Sequence, residues 1–202
     1  MPIGPSQSHD LYSRLAPAYE MLASPARIRA ETRSIAPHLD AIGASKILDA
    51  GCAVGLHSCE LARDGRQVTG IDLSEAMIEE ARARTSTLGL TVRFARCDLR
   101  EAGTLPGRPF DAVLCLGNTM ASVTTAADRG RALRAFREAL RPGGLLLLQL
   151  RDLASIRRKG HLFPVRSFRR GEEDWILMRR QEPDRRGIRF RSSLLYRPDP
   201  KT

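Results

Sequence analysis

The chain has 202 residues, 42 % of them hydrophobic and 28 % charged, which suits one soluble globular domain with most of its core buried. No apolar run approaches the ~20 residues of a membrane span, and residues 1–8 lack the basic-then-apolar pattern of a secretion signal, so a cytoplasmic location is expected. The net charge is +10, but residues 1–150 carry 18 basic and 16 acidic side chains against 15 and 7 in residues 151–202, so the excess sits in the last quarter of the chain.

Residues 1–8 read as a loose end, and residues 11–22 and 26–39 as helices, the second entered through Ser24-Pro25, an N-cap followed by proline at the first helical position. Lys46–Ala50 is a strand running into Gly51-Cys52-Ala53-Val54-Gly55, and Leu56–Arg63 is a helix. Gln67–Asp72 is strand two, Ser74 and Glu75 open a helix through Leu88, and residues 91–96 form strand three, closed by Cys97-Asp98. A loop over 103–109 leads to strand four at 110–116. The helix over 125–140 stops at Arg141-Pro142-Gly143-Gly144, and strand five follows at 145–150.

Short, nearly uniform apolar runs separated by helices predict a mostly parallel sheet covered on both faces, a Rossmann-like α/β fold. Beyond Arg151 the rhythm changes. A short helix (153–159) and extended segments at 162–169, 174–181 and 188–197 predict an antiparallel meander that either completes the sheet or forms a lid. The expected organisation is a helical cap (1–44), a cofactor-binding core (45–151) and an antiparallel extension (152–202) within a single domain.

Residues 47–58, Ile-Leu-Asp-Ala-Gly-Cys-Ala-Val-Gly-Leu-His-Ser, are the most informative stretch. Gly51 and Gly55 permit a tight bend that brings backbone N–H groups and a helix N-terminus to a ligand. Asp72, 17 residues beyond Gly55 at the end of strand two, is suited to hold a pair of ribose hydroxyls. A dinucleotide fingerprint would want glycine where Ala53 stands, and Asp49 would repel a pyrophosphate. The same carboxylate suits the sulfonium and ammonium of S-adenosylmethionine. If the slot of Ala53 requires a positive φ, alanine there costs on the order of 1 kcal/mol.

The carboxyl ends of the five strands place Asp49, Asp72, Asp98, residues 116–118 and Arg151 along one sheet edge, where ligands of open α/β sheets bind. Asp111 reads as support for strand four, and His57 as a residue that packs or hydrogen-bonds near the cofactor. Cys52, Cys59, Cys97 and Cys115 show no Cys-x-x-Cys spacing or histidine pairing and read as reduced thiols, without metal.

On these residues, positions 45–151 resemble the class I S-adenosylmethionine-dependent methyltransferases through Asp49-x-Gly51-Cys52-x-x-Gly55. More narrowly they resemble the glycine N-methyltransferase-like small-molecule group, through Phe110-Asp-Ala-Val-Leu-Cys-Leu-Gly-Asn118-Thr-Met-Ala and Leu-Gln-Leu-Arg151. The resemblance implies that Gly51, Cys52 and Gly55 line the methionine portion of the cofactor beside Asp49, that Asp72 and Leu73 meet the ribose, and that Met77, Asp98 and Leu99 surround the adenine. It further implies Leu116 near the reactive centre, Arg29 on the cofactor carboxylate, and Tyr12 over the transferring methyl.

Asn118, the sole asparagine, and Arg151 match the positions that hold a substrate carboxylate in the glycine-specific members, and a guanidinium fork suits that task. An amine nitrogen would then displace the sulfonium in a single SN2 step. Ser122 and Asp152-Leu153 depart from those members, which have histidine, and asparagine with tyrosine, at these places. The expected partner is a small-molecule methyl acceptor. The alternatives are an RNA or protein methyltransferase that uses the basic tail, or a non-catalytic or truncated cofactor-binding module.

Overall fold

The computed structural model describes Ala16, Tyr19, residues 24–152, Arg158, and the strand residues 161–162, 166–170, 173–184 and 187–197. Apart from the few positions just named, the helices expected over 11–22 and 153–159 lie outside the described residues. Two compact units divide the chain, Met1–Leu150 and Arg151–Thr202.

In the first unit the elements run α1 (Pro25–Asp40), β1 (Lys46–Ala50), α2 (Leu56–Arg63), β2 (Gln67–Asp72), α3 (Glu75–Thr87), β3 (Arg93–Arg96), β4 (Phe110–Cys115), α4 (Ala126–Ala139) and β5 (Leu140–Leu148), with 3-10 turns at Leu99–Thr104 and Thr119–Ser122. Hydroxyl side chains start α1, α3 and α4 as the local sequence requires. Ser24 Oγ accepts from the Arg27 amide at 3.2 Å, Ser74 Oγ from the Met77 amide at 3.4 Å and Thr125 Oγ1 from the Asp128 amide at 3.0 Å.

All five strands are parallel, in the order β3-β2-β1-β4-β5. The chain builds outward from β1 to β3, then returns across β1 to lay down β4, so the order reverses between β1 and β4. Alternating residues sort the core onto two faces. Leu48, Ala50, Val113 and Cys115 pack toward Phe136 and Ala132 of α4, whereas Ile47, Ala112, Leu114 and Leu116 pack toward Ile35 and Leu39 of α1 and Leu61 of α2. Phe110 and Phe136 are fully buried, and burying a side chain of that size contributes roughly 1.5–3 kcal/mol.

Strand five corrects the expectation. Arg141-Pro142-Gly143-Gly144 does not stop a helix ahead of a strand at 145–150; β5 already begins at Leu140 and ends at Leu148. Leu140 pairs with Phe110 and the next register is Leu145 with Ala112, so the extra residues bulge out of the ladder. Gly143 takes φ +73°, and a Cβ on Gly144 would lie 2.9 Å from the Asp111 carbonyl. Arg141 anchors the bulge through Nε to Asp111 Oδ1 at 2.7 Å and Nη2 to the Ile42 carbonyl at 3.0 Å.

The second unit is an antiparallel sheet of β6 (His161–Leu162), β7 (Arg166–Arg170), β8 (Glu173–Asp184) and β9 (Gly187–Arg197). The long β8 pairs with β7 and β6 on one side and β9 on the other. This is the expected meander, and it forms a sheet of its own rather than adding strands to the parallel one.

Candidate active site

The loop after β1 is held by the end of β2. Gly51 and Cys52 amides donate to the Ile71 carbonyl at 2.8 and 2.9 Å, the Ala53 amide donates to Asp72 Oδ2 at 3.0 Å, and the Ser74 amide to Asp72 Oδ1 at 2.9 Å. Gly51, Ala53 and Gly55 take φ of +81°, +48° and +73°. Ala53 therefore does occupy a left-handed slot, with the conformational penalty the sequence suggests. Arg84 Nε secures the far side through the Val54 carbonyl at 3.1 Å. Ala16 packs with Val54 and Met77, with Tyr19 beside them, so part of the N-terminal segment lies against this loop.

Asp49 is 2 % exposed and accepts a hydrogen bond from Ser58 Oγ at 2.6 Å. Burial pushes its carboxyl above the ordinary range, partly opposed by His57 and Ser58, with Asp72 adding to the rise. Cys52 is buried, and burial pushes its thiol well up, so it serves as an inert wall.

Asp98 caps the 3-10 turn and pairs with Arg100, accepting from its amide and Nε at 2.9 Å each and from Nη2 at 2.6 Å. Arg100 holds this carboxyl below its usual value, against the effect of burial. Three bonds leave acceptor capacity, since a carboxylate offers about four lone-pair sites. Leu73 is 47 % exposed at the sheet edge, whereas Leu99 is buried and Met77, at 1 %, is engaged in packing.

Beside the β1/β4 reversal lies a cavity of about 220 Å³. Its walls are Glu31, Ser34, Ile35 and His38 from α1, His57 from the first turn of α2, Leu116 after β4, and residues 147–149 at the end of β5. Gln149 Oε1 accepts from the Gly117 amide at 2.7 Å, tying the ends of β4 and β5 together.

His57 Nε2 and Glu31 Oε2 lie 3.2 Å apart, and Arg27 Nε donates to Glu31 Oε1 at 2.9 Å. Burial raises the Glu31 carboxyl, but Arg27 and His57 more than offset this and hold it low. Glu31, Ser34, His38 and Gln149 escape sequence reasoning, for no motif marks them. A signal did exist in α1, where 31, 34, 35 and 38 share one face at helical spacing.

Leu116 is one of the cavity's walls. Arg29 is not. It is exposed on α1, two residues from Glu31 and so about 200° around the helix, off the cavity-lining face. Asn118 stands at φ +69° as the cap of the Thr119–Ser122 turn, following Gly117 at +64°. Asparagine is among the few residues that accept this conformation readily. Arg151 belongs to the second unit, where Nη1 donates to the buried Gln181 Oε1 at 3.4 Å. Tyr12 lies outside the described residues. Among the described residues no group of His, Cys, Asp and Glu could hold a metal, and no helix is long and apolar enough to cross a membrane.

Residues 47–144 match the family described as "Methyltransferase domain". The chain is 32 % identical over 164 residues to the "Putative methyltransferase YqeM" of Bacillus subtilis (strain 168), covering 81 % of this chain and 64 % of that protein. It is 34 % identical over 120 residues to the "Glycine/sarcosine N-methyltransferase" of Halorhodospira halochloris, covering 59 % and 44 %. The chain thus spans less than two-thirds of the length of either. Among solved structures it superposes on S-adenosylmethionine-bound CalS10, an amino pentose methyltransferase from Micromonospora echinaspora, with a TM-score of 0.63 and 28 % identity over 89 % of this chain and 79 % of that one. With the parallel sheet, the left-handed loop and the strand-end aspartates already in place, these matches support a class I S-adenosylmethionine-dependent methyltransferase.

Proposed function

We propose that this protein transfers a methyl group from S-adenosylmethionine to a small molecule, at an amine nitrogen of a carboxylate-bearing, amino-acid-like acceptor. The observation that carries the methyl-transfer reading is the tie between two strand ends, where Asp72 grips the Ala53 amide of the left-handed loop that follows buried Asp49. The residues present fit the cofactor. Buried Asp49 offers a counter-charge to its cationic end, Gly51, Cys52 and Gly55 bring backbone close, Asp72 and Leu73 would meet the ribose, and Asp98, Leu99 and Met77 the adenine.

When bound, the cofactor supplies a methyl group on positively charged sulfur, already activated for displacement. The protein's share is to position the acceptor and exclude water. A cavity of about 220 Å³ is smaller than the ~300 Å³ of sites for drug-sized ligands, which favours an acceptor of few heavy atoms over a polymer. The amine and carboxylate reading is supported by the similarity to the glycine/sarcosine enzyme. By the sequence resemblance to the glycine-specific members, Asn118 and Arg151 would receive the acceptor carboxylate and Tyr12 would cover the reacting end.

Calorimetry with S-adenosylmethionine and S-adenosylhomocysteine, followed by product release across amino acids, amines and hydroxyl acceptors, tests the proposal. Micromolar binding and turnover of a carboxylate-bearing amine are expected. No binding of either compound below millimolar concentration would discard the reading. Arg151→Ala should raise KM for that acceptor by about tenfold or more, the loss of a charge-assisted pair, and leave S-adenosylhomocysteine affinity unchanged.

A further inference from the structure

Two of the cavity's titratable side chains, to which the reading above gives no task, are paired with each other. Glu31, in the middle of α1, and His57, in the first turn of α2, meet at 3.2 Å although 26 residues separate them in sequence. Both line the cavity with Leu116, the residue that the family resemblance assigns to the reacting end. Their side chains are 22 % and 16 % exposed, so this is not an ordinary surface pair.

An amine acceptor brings a chemical obstacle to this place. Amines of the α-amino and lysine type titrate at about 8 to 10, so near neutral pH they arrive mostly as ammonium, with no lone pair to give to a methyl group. We propose, resting on the amine-methyltransferase reading, that His57, held by Glu31, takes that proton from the acceptor inside the cavity.

In the step, one N–H bond of the ammonium breaks and its electron pair stays on nitrogen. The proton bonds to the imidazole, and the positive charge passes to an imidazolium that faces the Glu31 carboxylate. Nε2 is already engaged by Glu31, so Nδ1 makes the exchange. Four other groups bear on this charge. Glu31 and, from β1, Asp49 favour the imidazolium; Arg27, bound to Glu31, opposes it, as does His38 on the same wall when protonated. After methylation the nitrogen is cationic again, so one proton per turnover leaves through His57.

The test uses the full chain with His57→Gln and Glu31→Gln. S-adenosylhomocysteine binding is read by calorimetry, and turnover of a panel of amino acids and amino sugars is followed from about pH 6.5 to 9.5. For His57→Gln we expect cofactor-product affinity within about fivefold of the parent and kcat near pH 7 lower by about a hundredfold, the usual reach of a positioned base. That deficit should shrink to less than about fivefold by pH 9.5, where the acceptor supplies its own neutral amine. Glu31→Gln should show the same pattern at about a tenfold deficit.

A His57→Gln rate within about fivefold of the parent at pH 7 overturns the proposal, and so does a deficit that stays constant with pH, which marks a packing role. A loss of S-adenosylhomocysteine affinity beyond about fivefold also overturns it, since the pair would then belong to the cofactor cradle. A parent chain that fails to bind S-adenosylhomocysteine sinks the methyl-transfer reading itself. One that binds but methylates only hydroxyl acceptors sinks the amine reading, and this proposal with it.

Discussion

Gly51 and Gly65 share a backbone conformation, φ +81° at each, and that coincidence separates two costs that usually travel together. A Cβ on Gly65 meets nothing within 4 Å. Gly65→Ala therefore pays only for the left-handed backbone, ~1–2 kcal/mol, less ~0.4–1 kcal/mol gained by stiffening the unfolded chain, or about 1 kcal/mol net. A Cβ on Gly51 would overlap Thr119 Cγ2 and lie 2.9 Å from its Oγ1 and 3.0 Å from its Cβ. Overpacking of this kind adds ~1–3 kcal/mol, so Gly51→Ala should lose about 2–4 kcal/mol.

Thr119→Ala opens the space but gives up the hydrogen bond from Thr119 Oγ1 to the Leu116 carbonyl at 2.8 Å, about 1 kcal/mol. The double variant should then show a favourable coupling of about 1–2 kcal/mol in a urea-unfolding cycle followed by far-UV circular dichroism. The conformational part of the Gly51 cost would persist. Equal losses for Gly51→Ala and Gly65→Ala, or strict additivity with Thr119→Ala, would refute the contact between the β1 loop and the turn after β4.

Ala53, at φ +48°, should tolerate glycine with a gain of ~0–1 kcal/mol, strain relief outweighing the freer unfolded chain; a clear loss in thermal midpoint contradicts the assigned backbone. Burial raises the Asp111 carboxyl, but the amide of Lys46, the Arg141 guanidinium and the amide and hydroxyl of Ser45 together bring it down to about 2, from 3.8. A depressed carboxyl stabilises the fold above its unfolded value and loses that contribution as pH falls through the folded one. The side chain is 19 % exposed, so about 2 kcal/mol should disappear between pH 4 and 2. Asp111→Asn should flatten that part of the pH–stability curve, and an unchanged acid limb would remove Asp111 from the account.

Asp49→Asn keeps an oxygen for the Ser58 hydroxyl while deleting a buried charge that the fold disfavours, so stability at neutral pH should hold or rise. S-adenosylmethionine should lose more affinity than neutral-sulfur S-adenosylhomocysteine, by about tenfold. Parallel losses for the two compounds would separate Asp49 from the sulfonium.

Much of the parallel core is legible from local sequence alone. Lys46–Ala50, Leu56–Arg63 and Gln67–Asp72 occur as expected because short apolar runs, glycine bends and hydroxyl caps carry their own hydrogen-bond logic along the chain. The same locality puts Asp49 and Asp72 at strand ends, since each follows an apolar run and precedes a turn. Glycine and proline at 141–144 mislead for the converse reason. They read as a stop, but pairing of Leu140 with Phe110 and the grip of Asp111 on Arg141 carry the strand through them.

What no local signal encodes is which side chains meet across the switch point. The order β3-β2-β1-β4-β5 brings α1, the start of α2 and the ends of β4 and β5 around one hollow. Only then do Glu31 and His57 touch, Gln149 close on Gly117, and Thr119 fill the space above Gly51. The choice of Glu31 over Arg29 as the cavity-facing residue of α1 is likewise a matter of helix rotation, set by Ile35 and Leu39 packing onto the sheet. Periodicity names a helix's faces; tertiary burial decides which of them looks inward.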